Sequence, residues 1–245
     1  MRVDLSGQSA LVTGAATGIG RATALALAEV GATVWANHLG QHEAVAALRT
    51  AGIRPIEADI TNPTAVGAMI ETIESTAPLD LLVNNAGILL EKPFLDTSEE
   101  DWARVLDVDL TAVYHCCRYA LPGMRARGRG AIVNVASDLG FLGREHYAAY
   151  CAAKAGVIGL TRSLAREFAA DGIRINGVAP GPIATPMVSP LHMSAEWMAR
   201  ELAIPMRRLG KPEEVATAIV FLLSPHASFF TGQILGPNGG SWMGG

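Results

Sequence analysis

The sequence is poor in cysteine and aromatic residues and has no long apolar run. It contains three cysteines, Cys116, Cys117 and Cys151, whose spacing does not match a metal site, so we expect buried free thiols in a reducing compartment. The longest apolar stretches, such as residues 216–223, are far too short to span a membrane. The first residues also lack the apolar core of a signal peptide. These absences predict a cytoplasmic protein that does not enter a membrane.

The charges are few and balanced, which narrows the choice of partners. The formal net charge is −4 without long runs of one sign, so neither a nucleic acid nor an anionic membrane is an expected partner. The six histidines are scattered, and no bound metal is expected. Of the 245 residues, 50% are hydrophobic, which is enough for one large core. No shift in composition marks a second domain, so residues 1–245 are expected to form one domain.

Apolar, β-branched segments alternate with helical patterns along the chain. This alternation is typical of an α/β fold in which a parallel sheet is covered by helices on both faces. The predicted strands are residues 9–13, 33–36, 55–58, 79–84, 131–135, 174–178 and 233–235. The predicted helices are residues 19–30, 42–51, 63–75, 99–125, 148–169 and 212–223. Residues 180–205 break the alternation, and we expect a substrate lid at about 186–205 with a short helix at 195–202.

A tyrosine and a lysine share one face of the helix predicted at 148–169. Tyr150 and Lys154 lie about one turn apart on it, and Ser137 precedes Tyr150 by thirteen residues. A phenol has an ordinary pKa of about 10, which a neighbouring ammonium lowers. A serine hydroxyl can hold a carbonyl or alcohol oxygen beside that phenol. Such a pair also occurs by chance, as a packed tyrosine with a solvated lysine. The pair alone therefore does not indicate a proton-transfer site, and other parts of the chain have to support that interpretation.

Several glycine-rich or polar turns follow predicted strands. Gly14, Gly18 and Gly20 join the first strand to the first helix, where a backbone free of side chains can approach a pyrophosphate. Asp59 and the segments 84–87 and 180–185 follow other strands. Because ligands of open α/β sheets bind outside the carboxyl ends of the strands, these segments should converge on one site. Each of them alone is equally consistent with an ordinary capped turn.

Taken together and in this order, these segments resemble the short-chain dehydrogenase/reductase family from residue 5 to the carboxyl terminus. Residues 231–233 and 238–240 strengthen the resemblance. It implies a Rossmann-like sheet of seven parallel strands, NAD or NADP as the cofactor, and interconversion of a carbonyl and a secondary alcohol. It also implies that Tyr150 is the general acid and base, that Lys154 lowers the pKa of Tyr150 and binds the nicotinamide ribose, and that Ser137 orients the substrate oxygen.

The resemblance also implies which residues surround the cofactor and how the subunits assemble. Relatives are commonly homotetramers built on two long helices, here residues 99–125 and 148–169. The residues expected to line the cofactor are Gly14, Thr17, Gly18, Ile19, Gly20, Asn37, His38, Asp59, Ile60, Asn85, Ala86, Gly87, Tyr150, Lys154, Pro180, Gly181, Ile183 and Thr185.

The chain departs from the family pattern at two places. Asp109 stands where the family usually has an asparagine that supports a water linked to Lys154. If the backbone carbonyl holds that water, an aspartate can serve, and if the amide is needed, turnover suffers; we hypothesise that Asp109 is tolerated in the catalytic set. The end of the second strand carries His38, and the loop carries Thr17, so neither the acid of NAD enzymes nor the arginine of NADP enzymes is present. Without an acid to repel a 2′-phosphate, NADP is favoured.

The substrate is less well specified than the reaction. We expect the pocket to be walled by Asp138, Leu139, Phe141, His146, Tyr147, Leu89, Leu90 and Glu91, and by the lid residues Met187, Leu191, His192, Met193 and Trp197. These residues favour a small-molecule carbonyl or alcohol. The main alternative is a 3-oxoacyl-thioester reductase whose basic residues Arg125, Arg127 and Arg129 would hold an acidic carrier, although Asp171 stands where some of those reductases have a base. A non-catalytic nucleotide-binding sensor or scaffold is a lower alternative, since such proteins usually lose the tyrosine or the lysine.

Overall fold

The computed structural model describes residues 3–188 and 194–244 of the chain. Its seven strands form one parallel sheet in the order β3-β2-β1-β4-β5-β6-β7. The strands are β1 (Ser9–Val12), β2 (Thr33–His38), β3 (Arg54–Glu57), β4 (Leu79–Asn84), β5 (Gly130–Val135), β6 (Ile173–Val178) and β7 (Ile234–Leu235). The predicted α/β, doubly wound, seven-stranded fold is therefore confirmed, with strand ends within two residues of those expected.

The helices follow the predicted order, with the short α6 added and the helix predicted at 99–125 divided into α4 and α5. They are α1 (Gly18–Glu29), α2 (His42–Ala46), α3 (Pro63–Thr76), α4 (Glu99–Leu106), α5 (Ala112–Arg127), α6 (Leu139–Leu142), α7 (Ala148–Phe168), α8 (Ala195–Glu201) and α9 (Pro212–Leu223). The starts of α3 and α4 follow from their sequences. The Asn62 side chain caps α3 ahead of Pro63, and Ser98 forms a capping box with Asp101 at the start of α4. Within the described residues, every helix is too short or too polar to cross a membrane.

The helix predicted at residues 99–125 is interrupted by a wider turn. Between α4 and α5, Asp107–Thr111 forms a π-helical turn. A π turn takes up one residue more than an α turn and often marks a functional position. It contains Asp109, which is fully buried. The sequence pattern did not reveal this turn, because its apolar spacing is close to that of an ordinary helix.

Alternate residues of each strand enter the cores on opposite faces of the sheet. Ala10 and Val12 of β1 belong to the core beneath α1 and α9, whereas Leu11 between them belongs to the core beneath α3, α5 and α7. Both faces are therefore covered by helices. Polar residues remain at the carboxyl edge of the sheet, where the strand order reverses between β1 and β4. This is the point at which a crevice opens in doubly wound sheets.

Candidate active site

A cavity of about 450 Å³ lies at the carboxyl ends of the strands. It is lined by the turns after β1, β2, β3, β4, β5 and β6 and by the start of α7. Every residue predicted to line the cofactor lies on its wall except Gly20, and so do Ser137 and Asp109. Segments that are separated by more than a hundred residues in sequence are thus brought to one site.

The first wall of the cavity is the glycine loop, which is tied to the turn after β4. The Thr13 hydroxyl accepts hydrogen bonds from the backbone N–H of Asn85 at 3.0 Å and of Ala86 at 3.1 Å. The Asn85 amide donates back to the carbonyl oxygens of Thr13 at 2.9 Å and Gly14 at 3.2 Å. Sequence reasoning missed Thr13, although its position directly before the first glycine was a usable signal.

Glycines are required in this loop because neighbouring atoms occupy the space that a side chain would need. The bare backbone can then approach a dinucleotide closely. A Cβ on Gly20 would lie 2.3 Å from the Gly14 carbonyl oxygen and 2.4 Å from the Asn85 amide nitrogen. Gly20 therefore packs behind the loop and does not line the cavity. Gly18 begins α1, whose amino-terminal N–H groups and dipole favour a phosphate. These residues would hold the pyrophosphate of NAD or NADP.

A buried ion pair lies at the centre of the site. The Lys154 ammonium is 3.4 Å from Asp109 Oδ2 and donates to the Val135 carbonyl oxygen at 3.2 Å. Asp109 Oδ1 accepts from the Ile88 N–H at 2.8 Å. Burial raises the pKa of Asp109, and the charge of Lys154 opposes that rise. Asp109 thus fixes Lys154 directly and also holds the turn after β4.

The phenol of Tyr150 has a raised pKa in this structure. The first cause is burial and the second is the charge of Asp109, while a hydrogen bond with Ser137 acts in the opposite direction. Lys154 Nζ lies 5.5 Å from the centre of the Tyr150 ring, and its charge is shared with Asp109. The pairing of Lys154 with Asp109, which the sequence did not reveal, offsets the influence that the lysine alone would have on the pKa of Tyr150.

The Ser137 hydroxyl is held by the residues that follow it. It donates to Asp138 Oδ1 at 3.0 Å and accepts from the Leu139 N–H at 3.2 Å. Burial raises the pKa of Asp138, against the effect of its hydrogen bonds with Ser241 and Ser137. Ser241 near the carboxyl terminus thus supports the serine through Asp138.

The end of β2 carries the residues expected to face the cofactor ribose. The Asn37 amide donates to the Ala58 carbonyl oxygen at 3.0 Å, so it also links β2 to the turn after β3. His38 is buried, and its Nδ1 has no hydrogen-bond partner among the described residues. Burial lowers the pKa of His38, against the charge of Glu57. His38 is consequently neutral near pH 7.

Two further polar groups lie near this end. His38, His42 and Glu57 each bring one possible ligand atom to within 4.8 Å of the others, a grouping that the scattered histidines of the sequence did not suggest. Asp59 Oδ1 accepts from both the N–H and the hydroxyl of Thr61, at 2.9 and 2.7 Å. Asp59 therefore caps its own turn and also lines the cavity, so its surroundings fit both an ordinary capped turn and a contact with the cofactor.

At the other end of the cavity, Glu91 ties α8 to the body of the protein. It accepts from the Tyr147 hydroxyl at 2.6 Å, from Trp197 Nε1 at 2.9 Å and from Arg200 at 2.9 Å. Burial would raise the pKa of Glu91, but these three hydrogen bonds outweigh it and hold the pKa below its ordinary value. Burial, together with the bond to Glu91, raises the pKa of Tyr147 to about 12. Tyr147 lines the cavity, as predicted, and its hydroxyl also accepts from Trp197 Nε1 of α8 at 3.1 Å.

A second contact joins α8 to the loop before α7. Arg144 forms an ion pair with Glu201, whose side chain is 6% exposed. Both residues line the cavity, and neither was singled out from the sequence. They are 57 residues apart in the chain, so no local pattern signals the pair.

The expected pocket wall is confirmed in part. Asp138, Leu139, Tyr147, Leu89, Met187 and Trp197 line the cavity, whereas Phe141, His146, Leu90 and Glu91 do not. Phe141 instead stacks on Trp242, with ring centres 3.8 Å apart. Leu191, His192 and Met193 fall within residues 189–193, outside the described residues.

The three arginines considered for a carrier protein are all paired within the chain. Arg125 contacts Asp171 at 3.1 Å, and Arg129 contacts Asp80 at 3.1 Å. Arg127 contacts Glu74 at 2.9 Å. Their charges are therefore largely balanced by neighbouring carboxylates.

Comparison with known sequences places this geometry among dehydrogenases and reductases. A family model described as enoyl-(acyl carrier protein) reductase matches residues 14–241. The cis-4-hydroxycyclohexanecarboxylate dehydrogenase of Sinomonas cyclohexanicum is 47% identical over 239 residues, covering 94% of this chain and 95% of the relative. The 3-oxoacyl-(acyl-carrier-protein) reductase of Vibrio cholerae is 40% identical over 244 residues, covering 98% of this chain and 100% of the relative.

Two solved structures that resemble this chain are also named as dehydrogenases. A provisionally named gluconate dehydrogenase from Agrobacterium tumefaciens has a TM-score of 0.94 at 35% identity and covers 99% of this chain and all of its own. A provisionally named NAD(P)-dependent gluconate 5-dehydrogenase from Beutenbergia cavernae, with bound NADP at low occupancy, has a TM-score of 0.91 at 38% identity and 98% coverage of both chains.

Proposed function

Because the chain belongs to the short-chain dehydrogenase/reductase family and is an NAD(P)-dependent oxidoreductase of carbonyls and alcohols, we propose that Ser137, Tyr150 and Lys154 perform its proton transfer. The observation that carries this proposal is the convergence of the three residues on the wall of the cavity that the glycine loop also lines. Asp109 is assigned to the same machinery as the anchor of Lys154.

The roles of these residues follow from their surroundings. A nicotinamide cofactor, when bound, would supply the hydride in reduction and accept it in oxidation. Ser137 binds the substrate oxygen, and Tyr150 takes the hydroxyl proton at its phenolate oxygen as the carbinol carbon loses its hydride. In reduction, Tyr150 returns that proton to the developing alkoxide. Lys154 binds the ribose and is kept in place by Asp109 and the Val135 carbonyl oxygen.

The preferred cofactor is proposed to be NADP. The end of β2 presents the imidazole of His38 in place of a carboxylate, so a 2′-phosphate meets no negative charge from that residue. This preference should depend on pH because His38 can take up a proton, and the lowered pKa of His38 moves that change to lower pH. A histidine that becomes protonated as the pH falls attracts the phosphate more strongly, while NAD has no phosphate there to respond.

The substrate is proposed to be a small alcohol or ketone, with a ring-bearing hydroxy acid as the leading class. The relative that is 47% identical is named for such a substrate. Apolar groups from Leu89, Leu139 and Trp197 line the cavity beyond Ser137 and Tyr150.

A 3-oxoacyl-thioester reductase remains the second candidate. The relative that is 40% identical over essentially the whole length supports it. The pairing of Arg125, Arg127 and Arg129 with carboxylates of the chain argues for the smaller substrate, because an acidic carrier protein would have to compete with those pairs.

A cytoplasmic homotetramer is proposed from the family resemblance. The helices α4 and α5 carry exposed aromatic residues, including Trp102, Tyr114 and Tyr119. Light scattering that gives a monomer would contradict the tetramer.

The proposal is tested by replacing the phenol. Tyr150→Phe should lower kcat roughly 100- to 10,000-fold, because it removes the acid and base. Fluorescence titration should show that NADPH still binds to this variant. Tyr147→Phe is the matched control and should change KM more than kcat, since Tyr147 bonds to Glu91. Wild-type protein that binds NADPH but oxidises or reduces nothing in a broad panel would favour the sensor.

A further inference from the structure

The substrate end of the cavity contains one basic group that the proton transfer does not use. Among the described residues that line the cavity, Arg144 and Lys154 are the two with permanently positive side chains. Lys154 is occupied by Asp109 and the Val135 carbonyl oxygen. Arg144, which pairs with Glu201, is therefore the basic group left to recognise a substrate at this end of the cavity.

The guanidinium of Arg144 is positioned to bind a ligand. Its side chain is 23% exposed, and its carbon Cζ lies 5.8 Å from the centre of the Tyr147 ring, which restricts its movement. Within the described part of the chain, its side chain forms one hydrogen bond, from Nη1 to Glu201. A guanidinium carries five N–H donors arranged to match a carboxylate, so a residue that lines the cavity and forms one hydrogen bond keeps donors for a ligand.

The partner of Arg144 lies at the carboxyl-terminal end of α8. Glu201 is the last residue of α8, and burial raises its pKa although Arg144 opposes that rise. A buried ion pair is a poor source of stability, because two charges lose their hydration. A substrate carboxylate can take the place of Glu201 on the guanidinium, and the displaced Glu201 carboxylate, whose pKa burial raises, then takes up a proton. Meanwhile Glu91 still holds α8 through Trp197 and Arg200, so the lid stays in place during the exchange.

We propose that Arg144 binds a carboxylate of the substrate, and that Glu201 neutralises Arg144 until that carboxylate replaces it. The substrate class is then a hydroxy acid or keto acid whose apolar body lies against Leu89, Leu139 and Trp197. Its reacting oxygen lies at Ser137 and Tyr150. This inference rests on the proposed function, since it assigns the far end of the same substrate.

The test compares an acid with its neutral analogue. The probes are cis-4-hydroxycyclohexanecarboxylate and the corresponding carboxamide, and the readout is the ratio of their kcat/KM values. In wild type the acid should be preferred. In the double variant Arg144→Gln/Glu201→Gln, which leaves no buried unpaired charge, the ratio should fall roughly 10- to 100-fold. In Glu201→Gln alone, the KM for the acid should fall, because its competitor is gone.

The matched control is Arg200→Gln, which loosens α8 without touching the cavity wall. It should affect the acid and the amide equally and leave the ratio unchanged. A double variant with wild-type preference for the acid would overturn the assignment of Arg144.

A binding measurement separates this inference from the proposed function. Cyclohexanecarboxylate has no hydroxyl to oxidise, and in calorimetry with NADPH present it should bind wild type at least about tenfold more tightly than the double variant. Such binding without turnover of any alcohol would contradict the proposed function alone. Equal binding to both proteins would overturn the inference alone.

Discussion

At the cofactor end of the cavity the contacts join two turns through backbone groups, whereas at the substrate end they join charged side chains to one another. Thr13 and Gly14 are linked to Asn85 and Ala86 by four hydrogen bonds, each with a backbone group on at least one side. The substrate end depends on charged side chains, such as Glu91 with Arg200 and Arg144 with Glu201. Backbone contacts require glycine and small residues at fixed places, while side-chain pairs can be exchanged or opened. The cofactor end should therefore tolerate substitutions poorly, and the substrate end should tolerate them with changes in specificity.

The largest effect is expected where the backbone leaves no space. Gly20→Ala would place a methyl group 2.3 Å from the Gly14 carbonyl oxygen. We expect roughly 100-fold weaker binding of NADPH and a lower melting temperature, since overpacking forces the loop to move. Gly159→Ala is the control, because an added Cβ there meets no atom within 4 Å, and this helix should become slightly more stable. Equal NADPH affinity in Gly20→Ala and wild type would contradict the view that the cofactor end tolerates substitutions poorly.

The next effect concerns the cofactor ribose. His38→Asp should raise the ratio of kcat/KM for NAD over NADP by about tenfold or more, since a carboxylate accepts from a 2′-hydroxyl and repels a 2′-phosphate. His42→Asp introduces the same charge on α2, off the cavity wall, and should change the ratio less. In wild type, affinity for NADP should rise as the pH falls below 6.5, because the lowered pKa of His38 delays its protonation. A strong NAD preference in wild type would contradict the assignment.

A smaller effect is expected at the junction of the two ends. Asp109→Asn keeps an acceptor for the Ile88 N–H but removes a negative charge that raises the pKa of Tyr150. The pKa of Tyr150 should therefore fall. Alcohol oxidation needs the deprotonated phenol, so the rise of its rate with pH should occur about one pH unit lower than in wild type. The pH profile of kcat/KM measures this shift, and Asp107→Asn in the exposed part of the same turn should leave the profile in place. A large rise in the plateau of kcat would show instead that Asp109 impairs turnover.

The smallest effect is expected where Glu91 contacts α8. Glu91→Gln weakens the bonds to Tyr147, Trp197 and Arg200, and KM should rise about two- to fivefold with little change in kcat. Because the folded-state pKa of Glu91 is lowered, its contribution to stability is present above the ordinary value of 4.5 and is lost as the pH falls through the folded value. Glu196→Gln on the exposed side of α8 is the control. A kcat that falls with KM unchanged would place Glu91 in the chemistry.

The same comparison explains what could be predicted from the sequence. The strands, the glycine loop and the pair Tyr150 and Lys154 depend on local spacing, and the order of the strand-end turns placed them at one edge. The pairing of Asp109 with Lys154 was not predictable, because it depends on the π turn that directs the aspartate inward. Arg144 and Glu201 meet only through the tertiary fold, so nothing in their neighbouring residues marks them.

The π turn at Asp107–Thr111 also bears on insertions and deletions. Removing one residue from an ordinary helix rotates everything after the deletion by about 100°, so the buried face no longer meets the core. A single-codon deletion inside the π turn would instead convert it to an ordinary α turn and leave α4 and α5 facing as before. This turn is therefore a place where the gene can lose one codon and the protein keep its fold, while the contact between Asp109 and Lys154 is lost.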